Sequence, residues 1–320
     1  SPYGPFKDPL NAPLVWQKEH WYDIDPTVFV DDDGQAYMYW GNPNSYYVKL
    51  NEDMISYSGG IVQLENTPEH YQEGPWCYKR NGKYYMAFAS TCCPEGIGYA
   101  MSDSPEGPWS TKGYIMSPTD KSRGNHPGII DYKGKSYIFG LNYDLLRLET
   151  PDHHERRSVS AAEMHYNPDG TIREVPYWTN TVLEQIGTLD PYRRVEAETM
   201  AWGYGLKTDR SKDGGIYVTR IDDNDSLRVH GVDFGKKGAG QFVASVASKD
   251  GDCVVEVHLD NADGPLVGSL NVTATGGMDR YARQTCSIKG AKGVHDLVFR
   301  FKGSARKDLL NWDYWEFERK

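Results

Sequence analysis

Three short segments place acid–base side chains at the same point relative to the strand that follows. They are "WYDIDPTVFV" (21–30) with Asp25, "YQEGPW" (71–76) with Glu73, and "RGNHPGII" (123–130) with His126. Two carboxyl groups and an imidazole brought to one point would do proton-transfer chemistry. One negative charge disfavours a second nearby, so one carboxyl would keep its proton and serve as a general acid. Each residue alone also has a plainer reading. Asp25 is a turn aspartate bonding local amides, Glu73 a surface glutamate, and His126 a hydrogen-bonded structural histidine. The shared placement carries more weight than any single residue. Pro26 predicts extended backbone at Asp25. Arg157 in "HHERRSVS" (153–160) is either a substrate clamp or a surface charge, and Asp31, Asp32 and Asp33 read as a solvated hairpin turn.

Such residues need a scaffold that repeats. "DGQAYMYW" (33–40), "NGKYYMAF" (81–88) and "KGKSYIFG" (133–140) each join a turn glycine to an alternating apolar strand, the turn and second strand of a β-hairpin. Gly34, Gly82 and Gly134 are separated by steps of 48 and 52. A period near about 50 with several short strands per unit predicts β-propeller blades. "NPDGTI" (167–172) predicts a further hairpin turn. "SPEGPW" (104–109) is expected at a crossing between blades, and a similar "SPYGPF" stands at residues 1–6. Residues 1–188 would hold about three blades, and a ring needs about four to eight. The expectation is that earlier blades lie outside this chain or on a companion chain, since an open ring exposes two bare faces. After "TLDPYRRVEAETM" (188–200) the strands show a clear period of two, apolar residues alternating mainly with polar ones, as in "DCVVEVHLD" and "DLVFRFKG". Residues 189–320 therefore predict a β-sandwich of jelly-roll type.

Composition narrows the partners. A formal net charge of −10 argues against nucleic acid as ligand. No run of about 18 apolar residues is present, so no membrane span is expected. No charged-then-apolar leader opens the sequence, so any export signal is expected to have been removed or never present. The 23 tyrosines and 9 tryptophans suit either stacking on sugar faces or filling a β-rich core. Of the five cysteines, adjacent Cys92 and Cys93 are not expected to staple the fold, and most are expected to be buried thiols.

The phrases "DIDPTVF", "EGPW", "NHPG" and "RRSV", in this order, resemble the later blades of glycoside hydrolase family 43. The resemblance implies an all-β chain: part of a five-bladed propeller, then the sandwich. It implies an inverting glycosidase releasing α-L-arabinofuranosyl side chains from arabinoxylan, with β-xylosidase and non-catalytic carbohydrate binding as the alternatives. Glu73 would be the general acid, and Asp25 would tune and orient it. His126 would sit on the propeller axis, a possible calcium position reached through water. Trp76, His126 and Arg157 would line the sugar pocket. The family's general base has no matching position, and neither Asp8 nor Asp23 has a context that supports it. The base is expected outside this chain, which puts activity of the chain alone in doubt. Residues 192–320 resemble carbohydrate-binding module family 6 through "VEAETM" and "LLNWDYWEF". That likeness implies a structural calcium held by Glu196, Glu198 and Asp313, and no organic cofactor. Where paired sugar-stacking rings are expected, the sequence has Arg220 and Met278, with Tyr281 and Asn311 nearby. A secreted, extracellular location is expected.

Overall fold

The computed structural model describes residues 6–18, 22–121, 125–143, 158–178, 183–212, 215–304 and 307–320. Arg157 lies outside the described residues. The described elements are strands, and none is a helix able to cross a membrane. Two compact units are present, Lys7–Glu184 and Gln185–Lys320. The division falls before the expected 188/189 boundary because Gln185 already belongs to the second unit. Its Nε2 donates to the carbonyl of His230, and Leu189 bridges to Val232.

The first unit is three successive antiparallel sheets. Strands β1 (Thr27–Val30), β2 (Ala36–Trp40), β3 (Tyr46–Leu50) and β4 (Tyr57–Gln63) form the first, in chain order. Strands β5 (Tyr71–Arg80), β6 (Lys83–Ser90), β7 (Glu95–Ser102) and β8 (Ser110–Thr119) form the second. The third contains β9 (Gly128–Tyr132), β10 (Lys135–Asn142) and β11 (Ser158–Met164), with β10 in the middle. The predicted hairpins are there. Asn81–Gly82 and Lys133–Gly134 turn with φ of 49° and 75°, and 48° and 81°, the left-handed pair that a two-residue hairpin loop requires. "SPEGPW", expected between sheets, instead joins β7 to β8 within the second. It still meets the first sheet, because Tyr39 OH donates to the Pro105 carbonyl and Tyr47 OH to Glu106.

The continuous apolar run of β6 follows from its place in the middle. Tyr84, Met86 and Phe88 face the first sheet and pack with Tyr37, Tyr39 and Tyr47. Tyr85 and Ala87 face the third sheet and pack with Ile129, Ile138 and Ala162. Period two thus feeds two cores, and each buried Met or Phe contributes about 1.5–3 kcal/mol. On the far face of the first sheet, half-buried Leu14 and Val15 pack against the cluster of Trp40, Tyr46 and Val48. The far face of the third sheet leaves Ile130, Tyr132, Phe139 and Val159 exposed.

One sequence expectation fails at the junction of the first two sheets. Asp31 is not a solvated turn residue. Its side chain is only 9% exposed and accepts from Lys79 Nζ and Tyr84 OH, each at 2.6 Å. Burial pushes this carboxyl up, but those donors outweigh it and hold it below the usual range. Local sequence could not reveal partners that stand on β5 and β6.

The second unit is a sandwich. Its strands are β12 (Val195–Glu196), β13 (Trp202–Tyr204), β14 (Lys207–Arg210), β15 (Ile216–Thr219), β16 (Ser226–Asp233) and β17 (Ala239–Ala247). They continue as β18 (Cys253–Leu259), β19 (Leu266–Val272), β20 (Ala282–Ser287), β21 (Val294–Gly303) and β22 (Asn311–Arg319). One sheet runs β14-β15-β22-β17-β20, with β12 paired to β22; the other runs β13-β16-β21-β18-β19. The alternating residues Cys253, Val255, Val257 and Leu259, and Leu297, Phe299 and Phe301, all point into one core with Phe242, Trp312, Trp315 and Phe317.

Candidate active site

The three sheets of the first unit bring Asp25, Glu73 and His126 together. One ligating atom from each lies within 4.8 Å of the others. His126 Nε2 stands 3.3 Å from Glu73 Oε1 and 3.7 Å from Asp25 Oδ2. The side chains are 19%, 18% and 30% exposed for Asp25, Glu73 and His126, so the cluster is sheltered but reachable from solvent. Asp25 and His126 each stand two residues ahead of a strand, β1 and β9. Glu73 is the third residue of β5, beside irregular pairing on both sides of it.

Backbone detail departs from expectation at Asp25. Its φ is +59°, not extended. The short carboxylate side chain tolerates this region better than most, and positive φ in a non-glycine residue is a place where functional sites store strain. The neighbouring backbone is fixed: Gly41 N–H donates to the Ile24 carbonyl.

Gly74 of "EGPW" has a steric role. Its φ is +60°, and a Cβ there would lie 2.8 Å from Cγ of His126. The imidazole therefore packs on bare backbone. Trp76, two residues on, donates its Nε1–H to the Ile129 carbonyl at 3.2 Å and leaves part of its ring open to solvent.

Several supporting residues escaped the sequence reading. Asn42, just after β2, is buried and donates Nδ2–H to Glu73 Oε2 at 2.6 Å. Gln72 Nε2 donates to Asn42 Oδ1 at 3.1 Å, and Tyr71 OH donates to the Gly41 carbonyl at 2.8 Å. On the other side Glu95 Oε2 accepts from the Asn125 N–H, and Asn125 Oδ1 accepts from the Leu141 N–H. Glu95 and Asn125 are both buried. They anchor the segment that presents His126. The one signal available was polar residues beside Gly or Pro at strand ends, in "WGNPNS" and "CCPEG".

Asp23 and Asp8, weighed above as the general base, both accept local hydrogen bonds. Asp23 accepts from Gln17 N–H, Gln17 Nε2 and Trp40 Nε1, and Asp8 accepts from the Leu10 and Asn11 amides. Cys92 and Cys93 differ from expectation: they form a disulfide on the exposed loop between β6 and β7. Adjacency gives no spacing signal, so only the turn of the loop decides that pairing. Cys77 and Cys253 are buried thiols, and Cys286 is half-buried.

In the second unit the first and last strands pair through their backbones. Glu196 pairs with Tyr314, and Ala197 N–H donates to the Asp313 carbonyl. Arg194 donates to both oxygens of Glu196 and, at 3.3 Å, to Asp313. Glu198 Oε2 is buried with no donor among the described residues. Burial, then Glu196 and Asp313, push the Glu198 carboxyl up; burial also pushes Asp313 up. A buried acceptor with neighbouring carboxylates is a donor set that fits a hard cation. Asn311, named above as a neighbour of the ring positions, accepts from Thr219 through Oδ1 and donates Nδ2–H to the Met278 carbonyl. A cleft of about 630 Å³ beside it is lined by Tyr217, Met278, Tyr281, Arg194, Arg210 and Lys212.

Comparison with known proteins finds relatives of both units. Residues 1–172 match the model of glycosyl hydrolases family 43, and residues 196–319 that of carbohydrate binding module (family 6). An arabinoxylan arabinofuranohydrolase of Paenibacillus polymyxa is 34% identical over 99% of this chain and 55% of its own length. One of Bacillus subtilis (strain 168) is 34% identical over 100% of this chain and 69% of its own. The chain thus spans just over half of one relative and about two thirds of the other. A crystal structure of a family 43 arabinoxylan arabinofuranohydrolase from Bacillus subtilis, in complex with cellotetraose, superposes with a TM-score of 0.90. It is 32% identical and covers 100% of this chain and 73% of that one.

Proposed function

The chain belongs to glycosyl hydrolases family 43, and from that premise we propose that it releases α-L-arabinofuranosyl side chains from arabinoxylan with inversion. The observation that carries the reading is the convergence of Asp25, Glu73 and His126 from three successive sheets. Both arabinofuranohydrolase relatives align over essentially the whole chain, which favours this substrate class.

In this reading Glu73 protonates the leaving oxygen while water attacks the opposite face of the sugar. A base accepts the water's proton. Asp25 is too close to be that base, because an inverting pair stands about 6.5–9.5 Å apart to admit water. At its observed separation Asp25 instead disfavours a second negative charge and keeps the Glu73 proton in place. Trp76 and Arg157 would contact the sugar. The base would stand on a segment beyond this chain, together with the blades that complete a five-bladed ring. The exposed apolar residues Ile130, Tyr132, Phe139 and Val159 suit such a blade, on the same polypeptide or a companion. Calcium would occupy the Glu196–Glu198–Asp313 clamp, and a second ion could be reached through water at His126. A polymeric substrate and an exposed disulfide suit a secreted protein.

Two measurements on the full-length protein test this. Release from aryl α-L-arabinofuranoside should exceed release from aryl β-D-xyloside; the reverse order makes it a xylosidase, and neither reaction makes it a binding protein. Proton NMR of the first product should show the inverted anomer. A retained anomer would recast Asp25 as a nucleophile, since retaining pairs stand about 5–5.5 Å apart.

A further inference from the structure

Asn42 is 5% exposed, carries no charge, and is held from every side. Its Nδ2–H reaches Glu73 Oε2 at 2.6 Å. Its Oδ1 accepts from Gln72 Nε2, which fixes which way round the amide stands. The preceding residue, Gly41, has φ of +122°, and a Cβ there would lie 2.1 Å from the Asn44 carbonyl oxygen. Gly41 also bonds in both directions, through its N–H to Ile24 and through its carbonyl to Tyr71 OH. Ile24 is next to Asp25, and Tyr71 begins the strand that carries Glu73. The Gly41–Asn42 segment therefore stitches the two carboxylate-bearing segments together.

From this arrangement we infer that Asn42 is a positioning residue that decides which oxygen of Glu73 carries the proton. The inference rests on the reading of Glu73 as general acid. In a carboxylic acid the carbonyl-type oxygen is the better acceptor, and the N–H of Asn42 claims Oε2. The proton is left on Oε1, the oxygen 3.3 Å from His126 Nε2 and on the side of the cluster. Protonation of the leaving group then comes from Oε1, and the electron pair of the broken O–H bond stays on Glu73. The ionised product of that step keeps the same donor at Oε2, which favours the charged form. Titratable groups facing Glu73 among the described residues are Asp25, His126 and Tyr71.

The test uses Asn42→Ala and the nearly isosteric Asn42→Asp in the full-length protein, with Glu73→Gln alongside. Turnover of an oligosaccharide, whose leaving group needs the proton, should fall about 10–100-fold with KM little changed. A dinitrophenyl arabinofuranoside, whose leaving group needs none, should turn over almost normally. The basic limb of the pH profile should move to higher pH in both variants, because a donor that stabilised the carboxylate is gone. Gln72→Ala should give a smaller change of the same sign. Variants that melt like the parent, with unchanged pH limb and no leaving-group dependence, overturn the inference even if Glu73→Gln is inactive. Near-normal Glu73→Gln instead overturns the reading of the acid itself.

Discussion

The imidazole of His126 packs on the bare backbone of Gly74, so close that a methyl group at residue 74 would overlap Cγ. Gly74 also has positive φ, so a side chain there is opposed twice. Gly74→Ala should displace His126, loosen its contact with Glu73 and cut turnover by about 10²-fold, with a smaller effect on melting. Steady-state kinetics and a thermal melt on the same sample check this. Unchanged kcat would mean that His126 has no part in arranging the acid.

Glu73→Gln should lower turnover by about 10²–10⁴-fold, and most on substrates with poor leaving groups. A panel of aryl arabinofuranosides of graded leaving-group acidity measures the slope. A slope equal to that of the parent would remove Glu73 from the role.

Asp25→Asn should move the basic limb of the kcat profile to lower pH. That limb reports loss of the acid's proton, and removing the neighbouring negative charge makes the loss easier. The shift is opposite in sign to the one expected for Asn42→Ala, so the pair of variants separates repulsion by Asp25 from donation by Asn42.

Asp31 ties the first sheet to the second through Lys79 and Tyr84, and its carboxyl lies below the ordinary range. A lowered folded-state pKa gives stability that is present above the unfolded value and lost as pH falls through the folded one. Asp31→Asn should therefore lower Tm by about 2–4 °C near neutrality and flatten the acid side of the Tm–pH curve. A parallel curve, merely displaced, would contradict that linkage.

Calcium should stabilise the sandwich unit through Glu196, Glu198 and Asp313. At about 100 times the dissociation constant the gain would be about 2.7 kcal/mol. Differential scanning calorimetry with chelator and with added calcium measures it, and Glu198→Gln should weaken the response. A melt indifferent to both additions would leave Arg194 as the cation that bridges this clamp.

Much of the architecture was legible because it rests on period and turn chemistry. Residues 81–82 and 133–134 turn as their types require, and the alternating strands around Val255 and Phe299 bury the expected face. Where a stretch serves two surfaces at once, legibility drops. Asp31 looks like a turn residue locally and is an anchor for β5 and β6. "SPEGPW" looks like a crossing and is an internal hairpin whose acceptors serve the neighbouring sheet. Cys92 and Cys93 pair because their loop brings the sulfurs together.

The amino-acid order by itself determined which side chains could do chemistry, since Asp25, Glu73 and His126 each announce themselves by a Pro or Gly that ends one element and starts the next. The all-β character was legible too, because a dominant period of two and paired left-handed turn residues favour strands. How Glu73 is held follows from packing between sheets. Asn42, Gln72, Glu95 and Asn125 act across sheets at distances in sequence of 30 residues or so, and their partners are amide, carboxylate and backbone groups that local pattern cannot pair. Hydrogen bonds of that kind are set by where strands end in space, and that follows from the packing of whole sheets.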